Sequence, residues 1–459
     1  MEIQRFYLGC LAHASYVISS ASEAAVVDPQ RDVDIYLDYA KEHDFSIRWI
    51  IETHLHADFV SGHLELAERT GATICLGAGS GARFPHRPLQ DEERLPLGSG
   101  FLRVMSTPGH TLESICIAVT DPARSPETVA VITGDTLFIG DVGRPDLSPS
   151  HTPQQLAGML FDSLHGKLLK LPDSTIVYPA HGAGSLCGRQ MSAEAESTIG
   201  RERASNYALQ AKTREQFVDL LTAELPARPS YFADEVERNR TGAAPLAELP
   251  PLPALSPAEF EAFGRDPQVI ILDTRPAMQF GAAHIPKSVN IGLSGQFASW
   301  AARLLGLGTP VVLVAEDENA ANESRMRLAR VGIENVRGSL AGGLPAWIRA
   351  GEPVSYLPQV SVQELAGWRR ERPSEMTLLD VREAGERQAG HLDGSLNIPL
   401  GQLAARMEEI SRERMLFVHC KGGYRSSAAG SLLQRAGFTQ VANVTGGYDA
   451  WQTAFPGVH

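Results

Sequence analysis

Cysteine is scarce: five residues in 459, Cys10, Cys75, Cys116, Cys187 and Cys420, scattered and without a CxxC pair. An odd, dispersed set of this kind excludes a disulfide framework and points to a reducing compartment, the cytoplasm. Cys10, Cys75 and Cys116 lie in apolar contexts and read as core residues. Long apolar runs are missing as well. Stretches such as AVIT, VIILD and VVLVA have the length of strands, so no segment is expected to span a membrane, and the opening MEIQRFYLGCLAHASYVI lacks the pattern of a signal peptide. Positive charge is in short supply, 41 Lys and Arg against 54 Asp and Glu, for a net charge of −13. No overall positive field is available to collect phosphates, which argues against nucleic acid as a partner and leaves small anions to be met by local positive pockets.

What is present is an ordinary globular composition, 43% hydrophobic and 21% charged with 42 Gly and 29 Pro, outside the disordered, collagenous and coiled-coil ranges. At roughly 150 residues per domain the length suggests about three domains. Residues 1–180 alternate β-rich runs (SYVIS, AAVVD, IRWIIETH, FLRVMSTPGHT, SICIAV, TVAVITGD, STIVYPAHG) with turns and helical stretches, an α/β pattern. From Ala193 to Leu225 the pattern is helical, with apolar positions at Ile199, Tyr207, Phe217, Leu220 and Leu221. A Pro-rich stretch then marks a linker, placed at 241–256. Beyond it the chain repeats itself. VIILDTRPAMQFGAAHIPKSVNI, with Asp273, Arg275 and His284, matches TLLDVREAGERQAGHLDGSLNIPL, with Asp380, Arg382 and His391, at one constant spacing. AGGLPAW, ending at Trp347, likewise matches TGGYDAW, ending at Trp451. Two such repeats imply two α/β domains with parallel sheets, 257–354 and 355–459.

Chemistry gathers at strand ends. Thr53-His54-Leu55-His56-Ala57-Asp58-Phe59 follows IRWIIE, and His110, Asp135 and His181 follow FLRVMSTP, VAVIT and STIVYP in GHT, GDT and AHG turns. Four His/Asp elements, each capping a β run, can converge on one rim as metal ligands do. In the order HLHAD, PGHT, GDT, PAHG they resemble the metallo-β-lactamase fold superfamily over residues 1–240, which implies an αββα sandwich. Dinuclear zinc members, such as glyoxalase-II-type thioester hydrolases, carry a final His in the first motif, and here that position is Phe59, which has no lone pair to give. The resemblance to the family's mononuclear iron branch, the persulfide dioxygenases, then implies one Fe(II) per chain on His54, His110 and Asp135, with His56, Asp58 and His181 orienting ligands and water around it. GDVGRPDLS, with Arg144 and Asp146, is similar to the segment that follows the Asp ligand in those dioxygenases. Arg144 either pairs with Asp146 to brace a loop or contacts substrate. Cys187 in GAGSLCG either relays sulfur or is a buried hydrophobe.

In the second repeat His419-Cys420-Lys421-Gly422-Gly423-Tyr424-Arg425-Ser426 lies between the strand MLFV and a helical run. Strand, Gly-containing loop and helix place the sulfur among loop N–H groups near a helix N-terminus, where a thiolate or persulfide anion is stabilised, and Arg425 adds positive charge. This segment closely resembles a rhodanese, which implies that Cys420 carries sulfane sulfur in a cradle of Lys421, Gly422, Gly423, Tyr424 and Ser426. The first repeat has Ala315 or Glu316 at the reactive position, no glycines and added acids, so it reads as an inactive rhodanese whose Asp273, Arg275 and His284 are scaffold.

Together the pieces resemble a persulfide dioxygenase fused to a rhodanese pair. The implied chemistry oxidises a low-molecular-weight persulfide (of glutathione or coenzyme A) with dioxygen to thiol and sulfite, and passes sulfur through Cys420 between persulfide, sulfite and thiosulfate. A glyoxalase-II-like dinuclear zinc thioester hydrolase with an accessory sulfurtransferase is the alternative, and a non-catalytic sulfur sensor or scaffold is the third reading. The inactive repeat points to self-association as a homo-oligomer.

Overall fold

The computed structural model describes residues 1–223, 225 and 227–457. The chain divides into two units, residues 1–249 with Ala329–Gly332, and Pro250–Leu328 with Ile333 onward.

The first unit is built on two six-stranded sheets. One runs Glu2–Leu8, His13–Ser20, Glu23–Val27, Ser46–Glu52, Thr73–Gly77, Arg87–Leu89; the other runs Ser197–Thr198, Ile176–Pro179, Thr128–Gly134, Ile115–Thr120, Gly100–Ser106, Arg94–Leu97. Between them lies an apolar layer that includes Tyr16, Ile18, Val27, Ile51, Leu102, Val104, Ile117 and Ile132. The opposite faces are buried too: Val26 and Ile50 pack with Tyr36 and Leu66, while Cys116 and Val131 pack with Leu160, Leu164 and Phe217. Helices Asp34–Glu42 and His63–Thr70 cover one sheet, and Pro153–Gly166 and Arg214–Thr222 cover the other. Four layers result, helix, sheet, sheet, helix, as the motifs imply. Burial on both faces explains why AAVV and VAVIT read as continuous apolar runs and not as alternating ones.

The helical stretch after Ala193 is not one element. Helices Ile199–Ser205 and Arg214–Thr222 are separated around Asn206, whose side-chain amide donates to Asp141 O at 3.0 Å and to Glu202 Oε2 at 2.9 Å. Such a buried polar anchor outweighs local helical periodicity. Leu220 is consequently exposed at 39% instead of joining the core. Cys75 and Cys116 are buried as expected, but Cys10 is only half-buried. The Pro-rich stretch 241–256 carries structure of its own: it ends in a short strand, Ala254–Leu255, that pairs in parallel with Val336–Leu340.

The second unit holds two five-stranded parallel sheets of the same connectivity. The first is ordered Ala254–Leu255, Val336–Leu340, Val311–Val314, Ile270–Asp273, Val289–Asn290; the second is ordered Gln359–Val360, Val441–Val444, Met415–His419, Met376–Asp380, Leu396–Asn397. The repeat seen in the sequence is therefore a repeat of topology. Among the described residues no helix is long and apolar enough to cross a membrane.

Helix Pro153–Gly166 starts on a capping box, Thr152 with Gln155, and a proline in its first turn. Thr152→Ala is expected to cost about 1 kcal/mol by leaving a first-turn N–H unpaired. Denaturant unfolding of the full chain should show the loss in the transition that reports the first unit.

Candidate metal centre and sulfur-transfer loop

His54, His110, Asp135 and His181 each follow a strand (Ser46–Glu52, Gly100–Ser106, Thr128–Gly134 and Ile176–Pro179), so the sandwich delivers them to one end. His54, His110 and Asp135 bring one ligand atom each to within 4.8 Å of one another, and all are buried. His110 Nε2 lies 3.3 Å and His54 Nε2 3.8 Å from Asp135 Oδ2. His181 Nε2 lies 3.6 Å from Asp135 Oδ1 and 3.5 Å from Asp58 Oδ2.

The other ring nitrogens are committed. His110 Nδ1 donates to Arg144 O at 3.0 Å, and His181 Nδ1 donates to Ala12 O at 3.2 Å. His54 Nδ1 donates to Thr53 Oγ1 at 3.0 Å, and that hydroxyl donates in turn to Asp28 Oδ2 at 2.9 Å. Outer partners of this kind fix ring orientation and leave each Nε2 lone pair facing inward. Burial pushes His110 down to about 3, and burial with the His56 charge takes His181 to about 3 as well, so both rings stand neutral. Burial, then the neighbouring Asp58 charge, pushes the Asp135 carboxyl well above its ordinary range. His110 Nε2, His181 Nε2, Asp58 Oδ1 and both Asp135 oxygens are buried without a hydrogen-bonded nitrogen or oxygen partner. A set of dry lone pairs around a carboxylate without a hydrogen-bonded nitrogen or oxygen partner is the donor chemistry of a cation site, and the residues fit a metal ion.

His56 stands apart. Its Nε2 lies 3.1 Å from Asp28 Oδ1 and 3.3 Å from Glu52 Oε2. Burial works against its charge, yet Asp28 and Glu52 hold it well above the ordinary histidine range. Phe59 is fully buried, its ring centroid 4.1 Å from that of His13 and 4.4 Å from that of His56. Phe59 thus presents an aromatic wall to His13 and His56.

Two glycines make the packing feasible. Gly134, at φ +51°, precedes Asp135, and a Cβ there would fall 2.5 Å from Thr53 Oγ1. A Cβ at Gly143 would meet Asp135 O at 1.9 Å and His110 Nδ1 at 2.9 Å. Arg144 makes a bidentate pair with Asp146 at 2.7 and 2.9 Å and donates to Leu186 O at 3.1 Å, the loop brace of the two readings offered above. Cys187 is buried beside Asp135 and His181, and burial followed by the Asp58 and Asp135 charges raises its thiol well above its ordinary value.

Sequence reasoning missed Asp28 and Glu52. Asp28 adopts φ +51°, a costly conformation outside glycine, and accepts from Thr53 N at 2.7 Å as well as from the Thr53 hydroxyl. Both acids end apolar strands, AAVVD and IIE, the same signal that marked Asp135.

In the second unit Cys420 follows the strand Met415–His419 and is 1% exposed. Gly423 N donates to Sγ at 3.1 Å, and Ser426 Oγ donates to it at 3.5 Å. Arg425 is held by Glu386 through bonds of 2.6 and 2.7 Å. The corresponding strand of the first repeat, Val311–Val314, is followed by Ala315 and acids ahead of helix Glu318–Arg330. Asp273 with Arg275 and Asp380 with Arg382 are buried bidentate pairs that tie a turn in each repeat, and His284 is buried and stacked on Phe280.

A model of the metallo-β-lactamase superfamily matches residues 8–181, and a rhodanese-like domain model matches residues 256–350 and 361–454. A hydroxyacylglutathione hydrolase of Rhodospirillum rubrum is 32% identical over an alignment covering 47% of this chain and 75% of the relative. The chain belongs to the metallo-β-lactamase superfamily. A β-lactamase hydrolase-like protein of Agrobacterium fabrum is 31% identical over 45% of this chain, and the chain spans about half of that relative, 52%. Among solved structures, a metallo-β-lactamase from Staphylococcus aureus superposes with a TM-score of 0.66 at 28% identity, covering 74% of this chain and 98% of its own. The superfamily domain is thus fused to two rhodanese-like domains, and its metal-capable cluster with the rhodanese module marks an enzyme.

Phe59→His should restore a donor to the first motif. Elemental analysis is expected to find metal content rising from about one ion per chain in the native protein to about two in the variant.

Proposed function

We propose that the chain is a non-heme iron persulfide dioxygenase coupled to a rhodanese sulfurtransferase. The observation that carries this reading is the combination of a buried His54–His110–Asp135 triad with Phe59 closing the adjoining position. Two imidazoles and one carboxylate suit ferrous iron, which when bound supplies open positions for dioxygen and a sulfur anion together with a redox couple that zinc lacks. The reaction, R–S–SH with O2 and H2O giving R–SH, sulfite and two protons, takes the outer sulfur through a four-electron oxidation.

The chain's own groups have definable parts in it. Asp28, through Thr53, and the Arg144 carbonyl hold the His54 and His110 rings so that their Nε2 atoms face Asp135. Phe59 and Phe138, the latter with its ring centroid 6.2 Å from that of His181, keep water from the far side of the cluster. Asp58 and His181 face the same space and can hydrogen-bond a bound water. Cys420 then attacks the outer sulfur of a persulfide, breaking its S–S bond and releasing R–SH to leave Cys–S–SH, and yields that sulfur to sulfite, forming the S–S bond of thiosulfate and restoring the thiol. Gly423 N–H and Ser426 Oγ–H steady the anionic sulfur during both steps.

A second reading has its own support. The curated relatives include hydroxyacylglutathione hydrolases, and His56, Asp58 and His181 form another metal-capable group beside the first. Both point to a dinuclear zinc thioester hydrolase with an accessory sulfurtransferase. Anaerobic metal analysis with oxygen uptake separates the two: one iron and persulfide-dependent uptake support the dioxygenase, whereas about two zincs with thioester hydrolysis and no uptake overturn it.

His110→Ala is expected to reduce oxygen uptake to background while sparing thiosulfate-to-cyanide sulfur transfer. Cys420→Ser should do the reverse, with sulfite accumulating in place of thiosulfate. Loss of both activities in either variant would contradict separable sites.

A further inference from the structure

The first repeat has no thiol, yet within the second unit it grips the helix that carries the sulfur loop. Helix Tyr424–Arg435 begins four residues after Cys420, directly behind Gly423. From it Ser427 Oγ donates to Asn290 Oδ1 at 2.6 Å, and Tyr424 OH donates to Gly292 O at 2.7 Å. In return Asn290 N donates to Ser431 Oγ at 2.9 Å. Asn290 is 2% exposed and Ser427 and Ser431 are 0% exposed, so these bonds have no competition from water. The Tyr424 ring lies against the first repeat's backbone, 3.5 Å from where a Gly292 Cβ would stand.

The grip is rigid at its far end. Asn290 Nδ2 donates to Asp273 O at 3.0 Å and Arg275 O at 2.9 Å, the turn already tied by the Asp273–Arg275 pair. Asn397, its counterpart in the second repeat, makes the same two bonds to Asp380 O and Arg382 O. In Asn290 the remaining amide oxygen is spent on the partner repeat's helix. The two groups that donate to Cys420 Sγ, Gly423 N and Ser426 Oγ, sit at the start of that same helix. Any displacement of the helix changes their distance and angle to sulfur, on which a hydrogen bond depends steeply.

We infer that the thiol-free repeat is a positioning element for sulfur chemistry at Cys420: Asn290 and the Gly292 carbonyl, acting through Ser427, Ser431 and Tyr424, set the loop donors around Sγ. The role rests on the sulfur-carrier reading of Cys420, and the test separates the two. In the full-length protein, Ser427→Ala, Tyr424→Phe and the double variant are compared with Thr309→Ala, which removes a hydroxyl of the first repeat that bonds the Leu305 carbonyl, away from the Asn290 turn. The readout is the pH at half-maximal iodoacetamide alkylation of Cys420, followed on its peptide by mass spectrometry, together with kcat for thiosulfate-to-cyanide transfer.

Weakened donors stabilise the sulfur anion less, so the midpoint should rise by about half a pH unit in each single variant and further in the double, with kcat falling about fivefold. Thr309→Ala should move neither. An unchanged midpoint in the three helix variants, or an equal shift in Thr309→Ala, overturns the inference. A wild-type protein that transfers no sulfur while the midpoint still moves sinks the carrier reading and leaves the positioning role standing.

Discussion

The first unit depends on a buried carboxylate that has no hydrogen-bonded nitrogen or oxygen partner and is eased only in part, by the His56 charge and the Cys187 thiol. Asp135 is buried with neutral imidazoles on one side, the charge of Asp58 on another and the Cys187 thiol beside it. Removing such a group from water costs several kcal/mol unless a counter-charge is found. The fold nevertheless brings it there on a strand whose neighbours are core residues, and accepts a left-handed Gly134 to do so. A cation resolves the arrangement at once, compensating the carboxylates and engaging the inward lone pairs. Folding of this rim and metal affinity are therefore coupled quantities.

The sulfur loop meets the opposite demand. Cys420 needs donors, and Gly423 N and Ser426 Oγ supply them while Arg425, paired with Glu386, stands at the start of the same helix. The first repeat shows what the same fold becomes when those residues are lost. Its sheet, its Asp273–Arg275 pair and its Asn290 bonds survive, while Ala315 and the following acids leave nothing to hold an anion. Scaffold and chemistry are separable within one domain architecture.

The strand-end histidines and acids were legible because each followed an apolar run, and a run of that kind can only be a buried strand ending at a rim. The repeat was legible because its paired Asp, Arg and His recur in step. Asp28 and Glu52 escaped notice although they share the strand-end signal, since what matters is which side chains the fold turns toward them: Thr53 and His56 for Asp28, and His56, Ser61 and His63 for Glu52. The helix break at Asn206 was hidden for the same reason, being decided by the Asp141 carbonyl and not by the local pattern. The grip of Asn290 on helix Tyr424–Arg435 joins residues 137 apart through single hydroxyls, which leave no periodic trace.

Joining the metal-capable domain and the rhodanese-like domains in one chain fixes the ratio of the two sites at one to one, whatever the arrangement of the units. Under the proposed reading that ratio has a chemical meaning. Each oxidation releases one sulfite, and each sulfite consumes one sulfane sulfur to become thiosulfate, so two persulfides are used per turnover of the pair, one at the metal and one at Cys420. Sulfite is a nucleophile that cleaves disulfides, and a carrier present in equal number limits how much of it accumulates. Separate proteins would need matched expression to reach the same balance; here the peptide bond enforces it, and the thiol-free repeat lies between the two chemistries in sequence while bracing the second.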